Sequence, residues 1–242
     1  DEGWKMDFDG LEAAFQSGVK CMFFCSPHNP VGRVWTRAEL ERLVALAEKY
    51  QVMIVADEIH AAFAFAPHVH TPLLTLTSRA VMLTSATKAF NLAGLRQSSV
   101  IVPDGEVRAR LAKEMHRVNA DHPNLFAMAA QRAAYEHGDA WLDGCIDYIR
   151  ENRDLVYDFI GARLPEIGLK PLEGTYLVWL DMRATGVEHE AMFRRLIDVG
   201  GVGLNSGLFF GERGRGFFRL NLATQRKNIQ AGLEGIERAL RM

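Results

Sequence analysis

Apolar residues occur along this chain in short continuous runs that alternate with longer amphipathic stretches. Four such runs precede residue 105, and each has the length of a strand and is followed by polar or turn-forming residues. They lie at residues 19–25, 52–56, 80–83 and 98–102. Helical spacing predicts one helix that ends near residue 50, with Thr36 as N-cap and Glu39 completing a capping box, and another at 106–116. Apolar strands that alternate with helices predict an α/β domain with a mainly parallel sheet.

The second half of the chain has a different pattern. Residues 124–164 are helical almost throughout, with a break where Gly138 ends one helix and Asp139 opens the next. The helix after that break is long enough to join two domains. The remaining pattern predicts a smaller α+β domain, with strands at 175–180 and 217–222, helices at 188–199 and 226–240, and a glycine-rich stretch at 200–216. We therefore expect a large domain at residues 1–145 and a small C-terminal domain at 146–242.

Composition narrows the possible function classes. The 242 residues are 48% hydrophobic and 24% charged, with a formal net charge of −2. That balance argues against disorder, and it predicts no nucleic-acid partner and no binding to anionic membranes. No apolar run approaches the roughly 20 residues of a membrane span. The three cysteines are too few for a disulfide framework, which predicts a cytoplasmic location, and neither they nor the histidines show metal-ligand spacing, so no metal site is predicted.

Candidate chemistry lies directly after the predicted strands. In open parallel sheets, ligands bind beyond the carboxyl ends of the strands. Three of these ends carry unusual polar residues, namely Asn29, then Asp57, then the group Ser85, Thr87 and Lys88. Taken singly, each has an ordinary explanation: Lys88 as a solvated lysine, Asp57 as a helix N-cap and Asn29 as a loop amide. Together they can surround a compact, anionic, heteroaromatic ligand.

Four motifs carry a specific resemblance. They are Ser-Pro-His-Asn-Pro-Val-Gly at 26–32, Ala-Asp-Glu-Ile-His at 56–60, Ser-Ala-Thr-Lys-Ala-Phe-Asn-Leu-Ala-Gly-Leu at 85–95 and Phe-Arg-Leu-Asn-Leu-Ala at 218–223. In order and spacing they resemble the pyridoxal-phosphate-dependent aminotransferases of fold type I (class I/II), and most closely the branch of carbon–sulfur lyases of the cystathionine β-lyase type. The resemblance implies an α/β large domain that lacks its N-terminal portion here, followed by a small α+β domain.

The same resemblance implies roles for residues at the strand ends. Lys88 would bind the aldehyde of pyridoxal 5'-phosphate and then act as the base that moves the substrate α-proton. Asp57 would keep the pyridine nitrogen protonated, and Asn29 would donate to the 3-oxygen of the ring. Ser85, Thr87 and Arg96 would bind the phosphate, although the lyase-like branch frequently lacks such an arginine. His60 stands where many aminotransferases have a tyrosine near the 3-oxygen, and we assign it to the cofactor site without a catalytic role.

Arg219 is the candidate for the substrate carboxylate. Strand alternation places it on one face with Phe217 and Asn221, and an arginine between aromatic residues requires an anion. By the resemblance, that anion is the α-carboxylate of an amino-acid substrate. The alternative is a structural ion pair with Asp181 or Glu173.

These assignments lead to three functional hypotheses. The first is a β-elimination that cleaves a carbon–sulfur bond of an amino acid, as in cystathionine β-lyase. The second is an aminotransferase that passes the amino group to a 2-oxo acid, and the third is a truncated or regulatory module of the same fold without catalysis. The resemblance also implies a homodimer, and it covers only the C-terminal part of such enzymes.

Overall fold

The computed structural model describes residues 3–242, which form two compact units. The N-terminal unit comprises Trp4–His28 and Arg33–Asp143. The C-terminal unit comprises Asn29–Gly32 and Gly144–Met242, together with Gly3. The segment Asn29–Gly32 belongs to the C-terminal unit because the backbone N–H groups of Glu173 and Gly174 both donate to the carbonyl oxygen of Gly32, at 3.0 and 2.9 Å. The sequence pattern instead predicts this segment as part of the large domain.

The N-terminal unit is built on a four-stranded sheet with strand order β1-β2-β3-β4. The strands are β1 (Cys21–Cys25), β2 (Met53–Asp57), β3 (Ala80–Thr84) and β4 (Ser99–Ile101). The first three strands are parallel, and β4 is antiparallel to β3. The helices are α1 (Phe8–Gln16), α2 (Arg37–Lys49), α3 (Ala86–Ala89), α4 (Gly105–Arg117) and α5 (Leu125–His137). The pattern predicts each of these strands to within a few residues, whereas α1 was not predicted.

Local sequence explains the placement of α2 in this unit. Thr36 and Glu39 form the predicted capping box, which satisfies backbone donors in the first turn of the helix. The apolar face of α2 then buries Leu40 and Leu43 completely in the core that also contains Ile54 of β2. Burial of such side chains contributes about 1.5–3 kcal/mol each. The helix α2 therefore shares one core with β1 and β2.

The C-terminal unit contains a small antiparallel sheet with strand order β5-β7-β6. Its strands are β5 (Leu177–Asp181), β6 (Asn205–Ser206) and β7 (Phe217–Asn221), and its helices are α7 (His189–Asp198) and α8 (Arg226–Leu240). The long helix α6 (Asp139–Arg163) contains the boundary between the two units. Within the C-terminal unit, the fully buried Asn152 of α6 donates to the carbonyl oxygens of Leu222 and Thr224, both at 3.0 Å, and so fixes the end of β7.

Among the described residues, no helix has both the length and the apolar character that crossing a bilayer requires.

Candidate active site

The register of the parallel strands brings the carboxyl ends of β1, β2 and β3 to one edge of the N-terminal sheet. Cys25 is level with Asp57, and Asp57 is level with Leu83, so the strands end together. Asp57 is the last residue of β2, and its Oδ1 accepts from the backbone N–H of Ile59 at 3.1 Å. It caps no helix, because the next helical turn begins at Ala61. Its second carboxylate oxygen has no hydrogen bond within the described chain.

Ser85 and Thr87 form a tight hydroxyl pair at the start of α3. Ser85 is the N-cap and accepts from the backbone N–H of Thr87 at 3.0 Å. The Ser85 Oγ lies 2.5 Å from the carbonyl oxygen of Gln97 and 2.8 Å from the Thr87 Oγ1. Since a carbonyl can only accept, the Ser85 hydroxyl donates to Gln97 and the Thr87 hydroxyl donates to Ser85. An anion at this position must therefore compete with these bonds for the two hydroxyl protons.

Lys88 lies in the short helix α3 between the buried residues Ala86 and Ala89. Its side chain is half-buried, and within residues 3–242 it has no hydrogen bond and no ion pair. A lysine held partly away from water usually gains an acidic partner. The absence of one here leaves the amine accessible for a ligand.

The other two candidates of the N-terminal unit differ in exposure. Arg96 is exposed, adopts left-handed backbone angles (φ 53°, ψ 46°) and forms no hydrogen bond or ion pair through its side chain with the described part of the chain. His60 is only 3% exposed and precedes the 3-10 turn Ala61–Phe63. Its ring centroid lies 6.3 Å from that of Phe63.

Arg219 of β7 contacts Asn29 in the C-terminal unit, although the two are 190 positions apart. Arg219 Nη1 donates to the Asn29 Oδ1 at 2.8 Å, and Nη2 donates to the Asn205 Oδ1 at 2.9 Å. Because the oxygen of the Asn29 amide accepts from Arg219, its NH2 group remains available as a donor. Asp181 pairs with Arg183 at 2.7 Å, which removes one of the two acidic partners considered for Arg219.

The surroundings of Arg219 favour binding of an anion. The guanidinium carbon lies 5.1 Å from the ring centroid of Phe210, and burial lowers the pKa of Arg219. Its Nε is buried and has no hydrogen-bond partner in the described residues. An unpaired donor on a planar cation is suited to a carboxylate, which accepts two parallel hydrogen bonds.

Sequence reasoning missed three residues that shape these sites. Asn205 lies in the glycine-rich stretch and holds Arg219 from the two-residue strand β6. Glu58 follows Asp57 and is only 3% exposed, and its carboxylate lies 2.9 Å from the His70 Nε2. The acidic pair Asp57-Glu58 was the one available signal for Glu58, whereas no local pattern indicated Asn205 or His70.

Comparisons with known proteins identify relatives of this chain. The family model for aminotransferase class I and II matches residues 1–236. The chain is 35% identical to cystathionine beta-lyase PatB of Bacillus subtilis over 99% of its length, and 34% identical to protein MalY of Escherichia coli over 99%. The crystal structure of cystalysin from Treponema denticola, which contains a pyridoxal 5'-phosphate cofactor, covers the whole chain with a TM-score of 0.93 and 34% identity.

These matches confirm the predicted fold class and the resemblance of the chain to class I/II aminotransferases and their carbon–sulfur lyase branch. The chain spans 63% of the B. subtilis protein, 62% of the E. coli protein and 63% of cystalysin. The family match covers nearly all of the chain and includes the four motifs named above. The chain therefore belongs to the aminotransferase class I and II family, with the fold of its carbon–sulfur lyases.

Proposed function

We propose that this chain is part of a pyridoxal-phosphate-dependent enzyme that cleaves a carbon–sulfur bond of an amino acid by β-elimination. The observation that carries the proposal is a pair of partly buried cations, Lys88 and Arg219, neither of which has an acidic partner in residues 3–242. Such cations are costly unless a ligand uses them. The similarity to a cystathionine beta-lyase supports a lyase over an aminotransferase.

The residues at the sheet edge fit the cofactor. Lys88 offers an amine without a competing carboxylate for the aldehyde, and Asp57 offers a free carboxylate oxygen for the pyridine nitrogen. When bound, pyridoxal phosphate would stabilise the negative charge that develops at the substrate α-carbon, so that a thiolate can leave the β-carbon. Ser85, Thr87 and Arg96 are our candidates for its phosphate, and His60 for a position beside the ring.

Each protein group has a defined task in this reaction. The Lys88 Nζ would take the α-proton from the substrate, a task suited to an amine that has no acidic partner in the described residues. Arg219 binds the substrate α-carboxylate through Nε and one Nη, which orients the α-hydrogen for removal. Asn29 would donate its NH2 group to the ring 3-oxygen, because the bond from Arg219 occupies the amide oxygen.

The proposal includes a cytoplasmic homodimer. None of the three cysteines forms a disulfide within residues 3–242, which fits a reducing compartment. On α5, Leu125 and Phe126 are 75% and 77% exposed, and exposed apolar side chains of this size commonly belong to an interface. Analytical ultracentrifugation of the purified protein would measure its oligomeric state.

The test is a titration of the purified chain with pyridoxal phosphate, followed by borohydride reduction and peptide mapping. We expect a visible absorbance band and a covalent label at Lys88, both absent in Lys88→Ala. The matched control is Lys113→Ala, which removes an exposed lysine of α4 and should leave band and label unchanged. A band of equal strength in Lys88→Ala, or no band in the wild type, would overturn the proposal for this chain.

A second measurement distinguishes the two reactions. With cystathionine as the only substrate, a lyase releases pyruvate without an added 2-oxo acid. An aminotransferase instead requires that acceptor and releases no thiol. If turnover depends on an added 2-oxo acid, the assigned reaction becomes transamination instead of β-elimination.

A further inference from the structure

A cluster of two histidines and one aspartate lies at the C-terminal end of α4, where Asp121 and His122 line the same cavity as Arg96. His116 is in the last turn of the helix, and Asp121 and His122 lie in the segment that follows the helix. The backbone N–H of Ala120 donates to the carbonyl oxygen of Met115 at 2.8 Å, which holds the returning segment against the helix. The sequence spacing alone did not predict a metal site, because the reversal of the chain creates the cluster.

The distances within this cluster are close to those of a metal site. The His116 Nδ1 lies 2.8 Å from one carboxylate oxygen of Asp121, and the His122 Nε2 lies 3.6 Å from the other. One ligand atom from each residue lies within 4.8 Å of those of the other two. Zinc with bonds of about 2.0–2.2 Å in a tetrahedral site requires ligand atoms about 3.3–3.5 Å apart. Small rotations of these side chains are therefore sufficient to surround one ion.

The ligand chemistry selects the class of metal. Two imidazole nitrogens and one carboxylate oxygen suit borderline divalent ions such as Zn²⁺, whereas Mg²⁺ and Ca²⁺ prefer six or more oxygen ligands. A bound ion would take the place of the hydrogen bond that now joins the His116 Nδ1 to the Asp121 carboxylate. The carboxyl end of a helix also favours a nearby cation.

We propose that His116, Asp121 and His122 form a surface site for a single Zn²⁺ ion, with water completing the coordination. The side chains of His116 and His122 are 73% and 68% exposed, so the ion and its water ligands can reach the site from solvent. Bound metal would link α4 to the segment that follows it. This proposal does not depend on the function proposed above.

The test is equilibrium dialysis of the full chain, stripped of metal by a chelator, against Zn²⁺ near neutral pH. We expect the wild type to bind one equivalent of Zn²⁺. The dissociation constant should be at least about tenfold larger in His116→Gln and in His122→Gln. His137→Gln is the matched control, since that histidine is equally exposed but outside the cluster. Each exchanged side chain is on the surface, and circular dichroism checks that the variants fold.

Several results would overturn the proposal. One is the absence of Zn²⁺ binding by the wild type. A second is unchanged affinity in both histidine variants. A third is loss of the bound equivalent in Cys21→Ser, because Cys21 is an exposed free thiol that can also bind Zn²⁺. Displacement of the ion by Mg²⁺ in moderate excess would contradict the assignment of metal class.

Discussion

Replacement of Glu58 by alanine should destabilise the N-terminal unit strongly, because this buried carboxylate anchors the loop that follows the Asp57 strand end. The Glu58 Oε2 lies 2.9 Å from the His70 Nε2, and the Oε1 accepts from the backbone N–H of Leu73 at 2.8 Å. Glu58 is 3% exposed and Leu73 is fully buried. The loop between these residues carries His60, so the same bonds stabilise one wall of the candidate cofactor site.

The structure sets the size of the expected effect. A hydrogen bond to a carboxylate contributes about 1.5–3 kcal/mol, and a buried donor left without a partner costs about 1–3 kcal/mol. Glu58→Ala removes both acceptors and leaves the Leu73 N–H buried without one, so we expect a loss of about 3–5 kcal/mol. Glu58→Gln keeps an acceptor for Leu73 and should cost only about 1–2 kcal/mol.

Urea unfolding measures these free energies, and hydrogen exchange reports the loop directly. We expect the Leu73 amide to lose most of its protection in Glu58→Ala and to retain much of it in Glu58→Gln. Glu12→Ala is the control, because Glu12 binds Lys49 at the surface and its loss should matter far less. Equal stability of Glu58→Ala and Glu12→Ala would refute the anchoring role.

Two further predictions concern the C-terminal unit. Burial lowers the pKa of His189, whose Nδ1 accepts from the backbone N–H of Gly216 at 2.9 Å, so the folded protein favours the neutral ring. As the pH drops, the unfolded chain protonates this histidine at a higher pH than the folded protein does, so the free energy of unfolding should fall below about pH 6.5. Urea unfolding above and below that pH should show a smaller loss of stability in His189→Gln than in the wild type. Equal losses in the two proteins would contradict this role of His189. Gly32 and Gly186 both have positive φ, at 72° and 71°, but only at Gly32 would a Cβ overlap a neighbour, Leu172. Gly186→Ala should therefore cost about 1 kcal/mol and Gly32→Ala clearly more, and thermal unfolding with equal losses would rule out the steric argument.

Local sequence was sufficient where a structural element depends on near neighbours. The Thr36–Glu39 capping box and the helix at Arg226–Leu240 both formed as the pattern predicts. The apolar runs also indicated where β1, β2 and β3 end, because side-chain alternation and strand length are properties of a few consecutive residues. Those strand ends were enough to identify Asp57, Ser85 and Lys88 as candidate site residues.

Tertiary structure decided the features that join distant parts of the chain. The antiparallel direction of β4 and the pairing of β6 with β7 depend on neighbouring strands, which a local pattern does not encode. The bond from Arg219 to Asn29 and the choice of Arg183 as the partner of Asp181 likewise required the folded chain. Hydrophobic periodicity reports which face of an element is buried, whereas hydrogen-bond partners and ion pairs depend on how the chain returns to itself in space.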